Sequence, residues 1–519
     1  MVRQISAGLL LALSAGCGSS TPLATGNDSA GADATDTGVI DVSSTPDFGE
    51  GEESLSVNPA NPLDIVVGSN QVQPVYVGPV ATVPVSTEGL MSSTVWVSHD
   101  GGLTWSGANL DRGGFADIAN PLSALLPGVP SEFRDVGNIL DADQHSAWDR
   151  HGNLYYESGQ LGDPSGGGDQ RARVWRSTDG GRTWNEPVIA FSDQNSPEPI
   201  GSIYPVQTPT LDRPWLAIDN SGGPRDGTVY LTFETGPFSE GTPPEIYLTS
   251  SSDRGATWSR SRRIDDGLYA TQNNPRQFPV VGADGALYVI YDKAPPTVTV
   301  TPLPQIGTIE LALVRSTDGG EHFDRLTVDG DVHRVTSPDE ALPFYTETIP
   351  ALAADPAHAG HLAAAWPEKL SMTNSRIMLR TSNDGGATWS PRIDVADDPA
   401  ANDNEHDHPA LAFTPEGQLI VMWRDRRCCG GTFSSSFQMW ARIVSVADDG
   451  QAHLGKVVEF TQSPQEPTTT KRGGVIVPSE FIGLAANNTA VFASWDQVAG
   501  ALSDNVYRRV PLSAFTASD

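Results

Sequence analysis

Short apolar runs alternate with polar turns from about residue 54 to about residue 512. Runs such as Ser93-Thr94-Val95-Trp96-Val97 and Glu245-Ile246-Tyr247-Leu248-Thr249 are rich in β-branched and aromatic residues, which predicts strands. One composite pattern recurs: a short strand, a polar turn, then a strongly apolar strand ending in a charged or aromatic residue. It occupies residues 54–57 with 64–68, 145–148 with 154–157, 214–218 with 229–234, and 278–281 with 287–292. It returns at 349–353 with 362–366, 409–413 with 419–423, and 481–485 with 491–495. That makes seven units, and no later segment is long and apolar enough to span a bilayer.

A second repeat interleaves with the first. Five octets share the pattern Ser-x-Asp-x-Gly-x-Thr-Trp, with His322-Phe323 replacing Thr-Trp in the fourth. Their aspartates are Asp100, Asp179, Asp253, Asp318 and Asp384, at steps of 79, 74, 65 and 66 residues. Repetition at a near-fixed period predicts a repeat architecture. Turn chemistry accounts for every fixed position: the carboxylate accepts amide hydrogen bonds, glycine supplies a positive φ, and the hydroxyls bond locally. The terminal aromatic re-enters a strand and buries its ring between sheets. The octet aspartates are therefore turn residues rather than catalysts or metal ligands.

Four antiparallel strands per unit, arranged radially, predict an all-β chain folded as a β-propeller. Seven blades are favoured, with six the alternative if the first or last unit is not a true blade. The seventh blade is expected to take its outer strand from the segment just before Ser54. The octets resemble the Asp-box, or bacterial neuraminidase repeat, of sialidase-like β-propellers, and the resemblance covers most of the chain. It implies the fold, whereas activity has to be argued from the site.

The ends differ from the body. Met1-Val2-Arg3-Gln4 followed by the apolar residues 5–15 has the form of a secretion signal. Leu13-Ser14-Ala15-Gly16-Cys17 resembles a bacterial lipoprotein processing site, which would make Cys17 the lipidated N-terminus of an exported, membrane-anchored protein. Residues 18–51 are Ser, Thr, Gly, Ala and Asp with few large apolar groups, so they are expected to form a disordered tether. The signal then comprises residues 1–17 and the propeller residues 52–515. A formal charge of −32 argues against nucleic acid and against charge-driven binding to anionic lipid, leaving the lipid as the membrane contact. With three cysteines, disulfides are not the framework. Adjacent Cys428 and Cys429 read as two thiols, a bridge being the alternative. The body is expected to be monomeric.

Strand direction places the octets on one face and the working site on the other. The residues entering the innermost strands should ring a central funnel: Asp141, Asp143 and His145, Asp212 and Arg213, Arg276 and Gln277, Tyr345 and Glu347, Glu405 to His408, and Glu480. Loops add Asp292, Lys293, Glu368, Lys369, Arg424, Asp425, Arg426 and Arg427. Sialidases bind the sugar carboxylate with three arginines and attack with a tyrosine helped by a glutamate, an aspartate serving as acid. By position the resemblance implies Arg213, Arg276 and one of Arg424, Arg426 or Arg427 as the clamp. It implies Tyr345 with Glu347 as nucleophile and helper, and Asp143 or Asp407 as acid. The Arg-Ile-Pro motif that opens catalytic sialidases is absent, and Arg213-Pro214-Trp215 only partly resembles it.

Three functions follow as expectations. The first is a propeller that recognises carbohydrate in its funnel. The second is an active exo-α-sialidase cleaving terminal sialic acid from a sialoside, and the third a surface propeller making protein contacts. No cofactor is required by any of them. His406 and His408, with Asp403 and Asp407, raise a metal question, and a structural Ca²⁺ among the loop carboxylates is a further option.

Overall fold

The structure is a computed structural model. It describes residues 35–43, 49–73, 90–108, 110, 140–161, 171–192, 210–236, 245–266, 277–293, 308–335, 348–371, 373–399, 402–431, 436–446, 452–465, 481–499 and 502–516. Cys17 and the expected signal lie outside these residues, as do Arg276, Tyr345 and Glu347.

Strands β2 (Gly49–Val57), β3 (Ile65–Gln73), β4 (Leu90–Ser98) and β5 (Ser106–Ala108) form blade 1. Blade 2 comprises β6 (Leu140–Trp148), β7 (Leu154–Leu161), β8 (Arg171–Ser177) and β9 (Val188–Ser192). Blade 3 is β10 (Thr210–Ile218), β11 (Val229–Gly236), β12 (Glu245–Ser251) and β13 (Arg262–Arg263). Blade 4 is β14 (Phe278–Val281), β15 (Leu287–Lys293), β16 (Thr308–Ser316) and β17 (Asp324–His333). Blade 5 is β18 (Ala351–Ala354), β19 (Leu362–Ser371), β20 (Asn374–Ser382) and β21 (Ile393–Asp394). Blade 6 is β22 (His406–Phe413), β23 (Leu419–Asp425) and β24 (Gln438–Val446), with β25 (Ala452–Leu454) and β26 (Val458–Glu459) both on β24. Blade 7 is β27 (Gly483–Ala486), β28 (Ala490–Ala499) and β29 (Leu502–Pro511), and its fourth strand is β1 (Ile40–Asp41) from the other end of the chain.

All seven units are blades, and the core shows that they close into a ring. Seven apolar clusters fill seven blade-to-blade interfaces. Alternation along each middle strand does this. Ile65 and Val67 pack with Ala490, Phe492 and Tyr507 of blade 7, while Val66 packs with Trp148, Leu154 and Tyr156 of blade 2. A strand buried on both sides must be apolar throughout, which is why the second strands read as unbroken hydrophobic runs.

The octets link the third and fourth strands of blades 1 to 5. In the third, Ser251 Oγ donates to Asp253 Oδ1 (2.7 Å) and accepts from Gly255 N (2.7 Å), while Thr257 donates from N (2.8 Å) and Oγ1 (2.6 Å) to the carboxylate. These bonds, those from Thr257 foremost, hold the Asp253 carboxyl down to about 2. The fourth and fifth octet positions both need positive φ, and here a non-glycine, Arg254, takes it (φ 61°). The closing aromatics Trp105, Trp184, Trp258, Phe323 and Trp389 pack into the interface with the preceding blade, as the sequence implies.

Closure is made by residues that composition assigned to the tether. Ile40 pairs with Tyr507 and Asp41 with Val506, and Arg508 grips Asp36 (Nη2–Oδ2 2.7 Å). Beside this seam Asp504 is pushed up to about 6, by burial first and then by the neighbouring Asp41 and Glu50. A carboxyl whose folded pKa is raised favours the fold when protonated. That stability is complete below about pH 4 and is lost as pH rises through about 6. Asp504→Asn is therefore expected to raise the melting temperature at pH 7.5 and leave it unchanged near pH 4. An equal shift at both pH values would contradict this account.

Candidate functional site

The innermost strand of each blade is an edge strand facing the central channel, and among the described residues four of them carry the same irregularity. Register shifts occur between Gly51 and Ser54 in β2, Ala142 and His145 in β6, Asp212 and Trp215 in β10, and Asp407 and Ala410 in β22. At three of these bulges a non-glycine residue holds left-handed backbone: Asp143 (φ 58°), Arg213 (φ 46°) and His408 (φ 46°). Non-glycine residues in this region carry strain, and bulges re-aim side chains beside functional sites. The bulges were legible in part: Pro214 and Pro409 lie inside inner-strand patterns, where proline marks an edge or a bulge.

The channel between these strands encloses about 150 Å³ and is lined by the inner strands of all seven blades. An aromatic group crosses it. Trp215 packs against Phe278 (ring centroids 4.7 Å), against Phe481 of blade 7 (5.2 Å) and against His145 (4.5 Å). Glu53 and His408 supply further polar lining. Desolvation pushes the His145 pKa down to about 3, so the ring is neutral, and its Nδ1 accepts from Leu216 N (3.3 Å). Sequence reasoning expected a polar well. The floor is aromatic because the residue two after each bulge apex points inward, and in β10 that residue is Trp215.

The expected site residues fall into separate groups. Arg213 is buried, with Nη1 on Glu234 Oε1 (2.6 Å) and Asp212 Oδ2 (3.1 Å). Its amide donates to Asp143 Oδ2 (3.1 Å), and Gln277 Nε2 donates to its carbonyl (2.6 Å). In blade 6, Arg426 Nη1 sits 2.6 Å from Asp407 Oδ2, and Arg424 Nη1 lies 3.9 Å from Oδ1. His408 Nδ1 is 3.2 Å from the same Oδ1. Burial alone would raise the Asp407 pKa, but Arg426, His408 and Arg424 together hold it well below the usual carboxylate range. Both guanidiniums also lie over the Phe437 ring, at 5.6 and 5.7 Å. Alternation sends Arg427 the other way, onto Asp425 (Nη2–Oδ2 2.7 Å) and the Trp440 face (4.3 Å).

Several expectations are corrected by this geometry. The three blade 6 arginines are not interchangeable clamp members, because Arg427 leaves the group formed by Arg424 and Arg426. Asp407 is an internal counter-ion held ionised, which is unsuited to a proton donor. His406 sits between Asp425 and Asp398 (3.2 Å each), whereas the left-handed turn at His408 takes its ring to Asp407. Cys428 and Cys429 are joined as a vicinal disulfide at the rim, in the turn whose Cys429 N donates to Arg426 O (3.0 Å). Arg276, Tyr345 and Glu347 belong to the segments outside the described residues.

No family model and no curated protein matches the chain. Among solved structures it is similar to a protein of unknown function from Dyadobacter fermentans (14% identity, TM-score 0.42, covering 74% of this chain and 99% of that one). It is similar to the intramolecular trans-sialidase from Ruminococcus gnavus in complex with oseltamivir carboxylate (11%, 0.43, 73% and 96%). A third is the Trypanosoma rangeli sialidase in complex with sialic acid (11%, 0.41, 71% and 54%), of which the chain spans about half the length. These are likenesses of chain path; the assignment to a seven-bladed propeller rests on the strand pairing and the interface cores.

Proposed function

We propose that this chain is an exported, lipid-anchored recognition propeller that binds carbohydrate in its funnel and does not hydrolyse it. The observation that carries this reading is the state of the arginines. Arg213, Arg424 and Arg426 are buried and engaged by the protein's own carboxylates, Asp212, Glu234 and Asp407. A sialidase clamp needs guanidiniums turned toward a ligand carboxylate. The missing Arg-Ile-Pro motif points the same way. The aromatic floor of Trp215, Phe278 and Phe481 beside His145 and Glu53 supplies apolar faces with a few polar groups, the usual make-up of a ligand pocket. A space of about 150 Å³ is below the roughly 300–1,000 Å³ of drug-sized sites, so the ligand would insert only a terminal unit. Residues 1–17 support export and anchoring at Cys17.

The test pairs hydrolysis with binding. The purified protein is expected to leave a fluorogenic sialoside intact, and to retain glycans on an array with affinity lost in Trp215→Ala. Turnover that disappears in Arg213→Ala would replace this reading with the active sialidase. Absence of both turnover and glycan binding would favour the protein-contact alternative.

A further inference from the structure

We infer that Asp355, His358 and His361 form a binding site for a borderline divalent transition cation of the Zn²⁺ class, on the octet face and apart from the funnel. The three residues occupy the turn between β18 and β19 of blade 5, and their ligand atoms all lie within 4.8 Å of one another. Both imidazoles converge on one oxygen: Asp355 Oδ2 is 2.8 Å from His358 Nδ1 and 3.9 Å from His361 Nδ1. The rings lie nearly parallel, 25° apart with centroids at 5.1 Å. Two imidazole nitrogens and one carboxylate oxygen are a donor set for Zn²⁺ and its neighbours, whereas Ca²⁺ and Mg²⁺ demand oxygen throughout. Three protein ligands leave a fourth position for water.

The turn is built before any cation arrives. Asp355 N donates to His361 O (2.9 Å), His361 N to His358 O (3.2 Å), and Gly385 N of the adjacent octet to Gly360 O (2.9 Å). Asp355 Oδ1 is consumed by Ala357 N (2.8 Å), which leaves Oδ2 as the carboxylate's ligand atom. The same aspartate-pinned turn recurs in blade 2, where Asp149 Oδ1 accepts from His151 N (2.9 Å), and in blade 3, where Asp219 Oδ1 accepts from Ser221 N (2.9 Å). Turn formation thus explains Asp355 Oδ1 and nothing more; the converging pair of imidazoles is what blade 5 adds. Blade 6 reaches over the same atoms. A Cβ on Gly417 would come within 2.8 Å of Asp355 Oδ2 and 3.1 Å of His358 Nδ1, so the bare backbone there, which its φ of +86° also selects, keeps the cradle open.

The experiment titrates Zn²⁺ into the purified, untagged chain against a chromophoric chelator, alongside His358→Gln, His361→Gln and the double variant. Both histidines are about half exposed (56% and 45%), so the variants should fold, which near-ultraviolet circular dichroism verifies. One equivalent of Zn²⁺ is expected to bind, each single substitution weakening it about tenfold or more and the double variant abolishing it. X-ray absorption should show two imidazole nitrogens, and excess Ca²⁺ should not compete. One-to-one binding unchanged in the double variant, displacement by Ca²⁺, or no binding by the wild type at roughly 100 µM Zn²⁺ would each overturn the site.

Discussion

Asp407→Ala is expected to destabilise the propeller by about 3–5 kcal/mol, the range for removing one partner of a buried ion pair. The reason is arithmetic of charge. Arg424 and Arg426 are each about 1% exposed, and the Asp407 carboxylate lies 3.9 and 2.6 Å from them. Taking the carboxylate away removes the short ion pair of Arg426 and one of the three carboxylates that act on Arg424, the others being Asp496 and Glu53. The remedy follows from the same physics: Arg426→Met in the Asp407→Ala background should restore a large part of the loss, since the surplus cation goes with it. Urea unfolding of the four members of this cycle measures both quantities. A loss below about 1 kcal/mol, or a double variant no better than the single, would mean that Asp407 is not the counter-ion described. Because the carboxyl is held below its ordinary range, its contribution is present above about pH 4 and lost as pH falls further.

Gly102→Ala in the first octet is expected to cost about 2–6 kcal/mol. Two costs add: strain of about 1–3 kcal/mol for a side chain at φ +89°, and overpacking of similar size. The new Cβ would fall 2.0 Å from Cε1 of Tyr507, a ring of blade 7 that is buried, that donates its hydroxyl to Gly101 O (3.2 Å) and that meets Trp105 edge-on (5.2 Å). It therefore cannot step aside. Gly330→Ala is the control. Its Cβ would meet nothing nearer than Thr327 Cγ2 at 4.0 Å, and its φ is not in the left-handed region, so the change should stay within about 0.5 kcal/mol. Equal melting temperatures for the two variants would refute the claim that octet glycines are contact points between blades.

These cases show why the ring could be read from residues and the funnel only in outline. Each octet carries its whole hydrogen-bonding scheme within eight residues, and each second strand declares its two buried faces by its composition. Local chemistry of that kind survives in a sequence. The ion pairs do not, because Arg213 finds Glu234 on the next strand and Arg424 finds Asp407 across a bulge. Which β22 side chains oppose Met422 and Arg424 depends on one extra residue in β22, between Asp407 and Ala410. The proline of Arg213-Pro214-Trp215 was the available clue to such a bulge, and it explains why Trp215 turns inward. The closing strand was anticipated by location, yet residues 35–43 hide in a run of Ser, Thr, Gly and Asp. Their pairing is set by the exposed edge of β29, by Arg508, and by Val39 and Val42, which pack into the apolar cores on either side of blade 7.

Because Ile40–Asp41 completes the sheet begun by Leu502–Pro511, synthesis and assembly run against each other. The ribosome makes the latch before any of the blades and the catch almost at the end. A nascent chain leaving in that order carries six blades with two unmatched rims, and the final edge β29 exposes backbone donors and acceptors that any stray strand would take up. Passage to the finished ring therefore waits on β29, and a strand made before every blade is the last to settle.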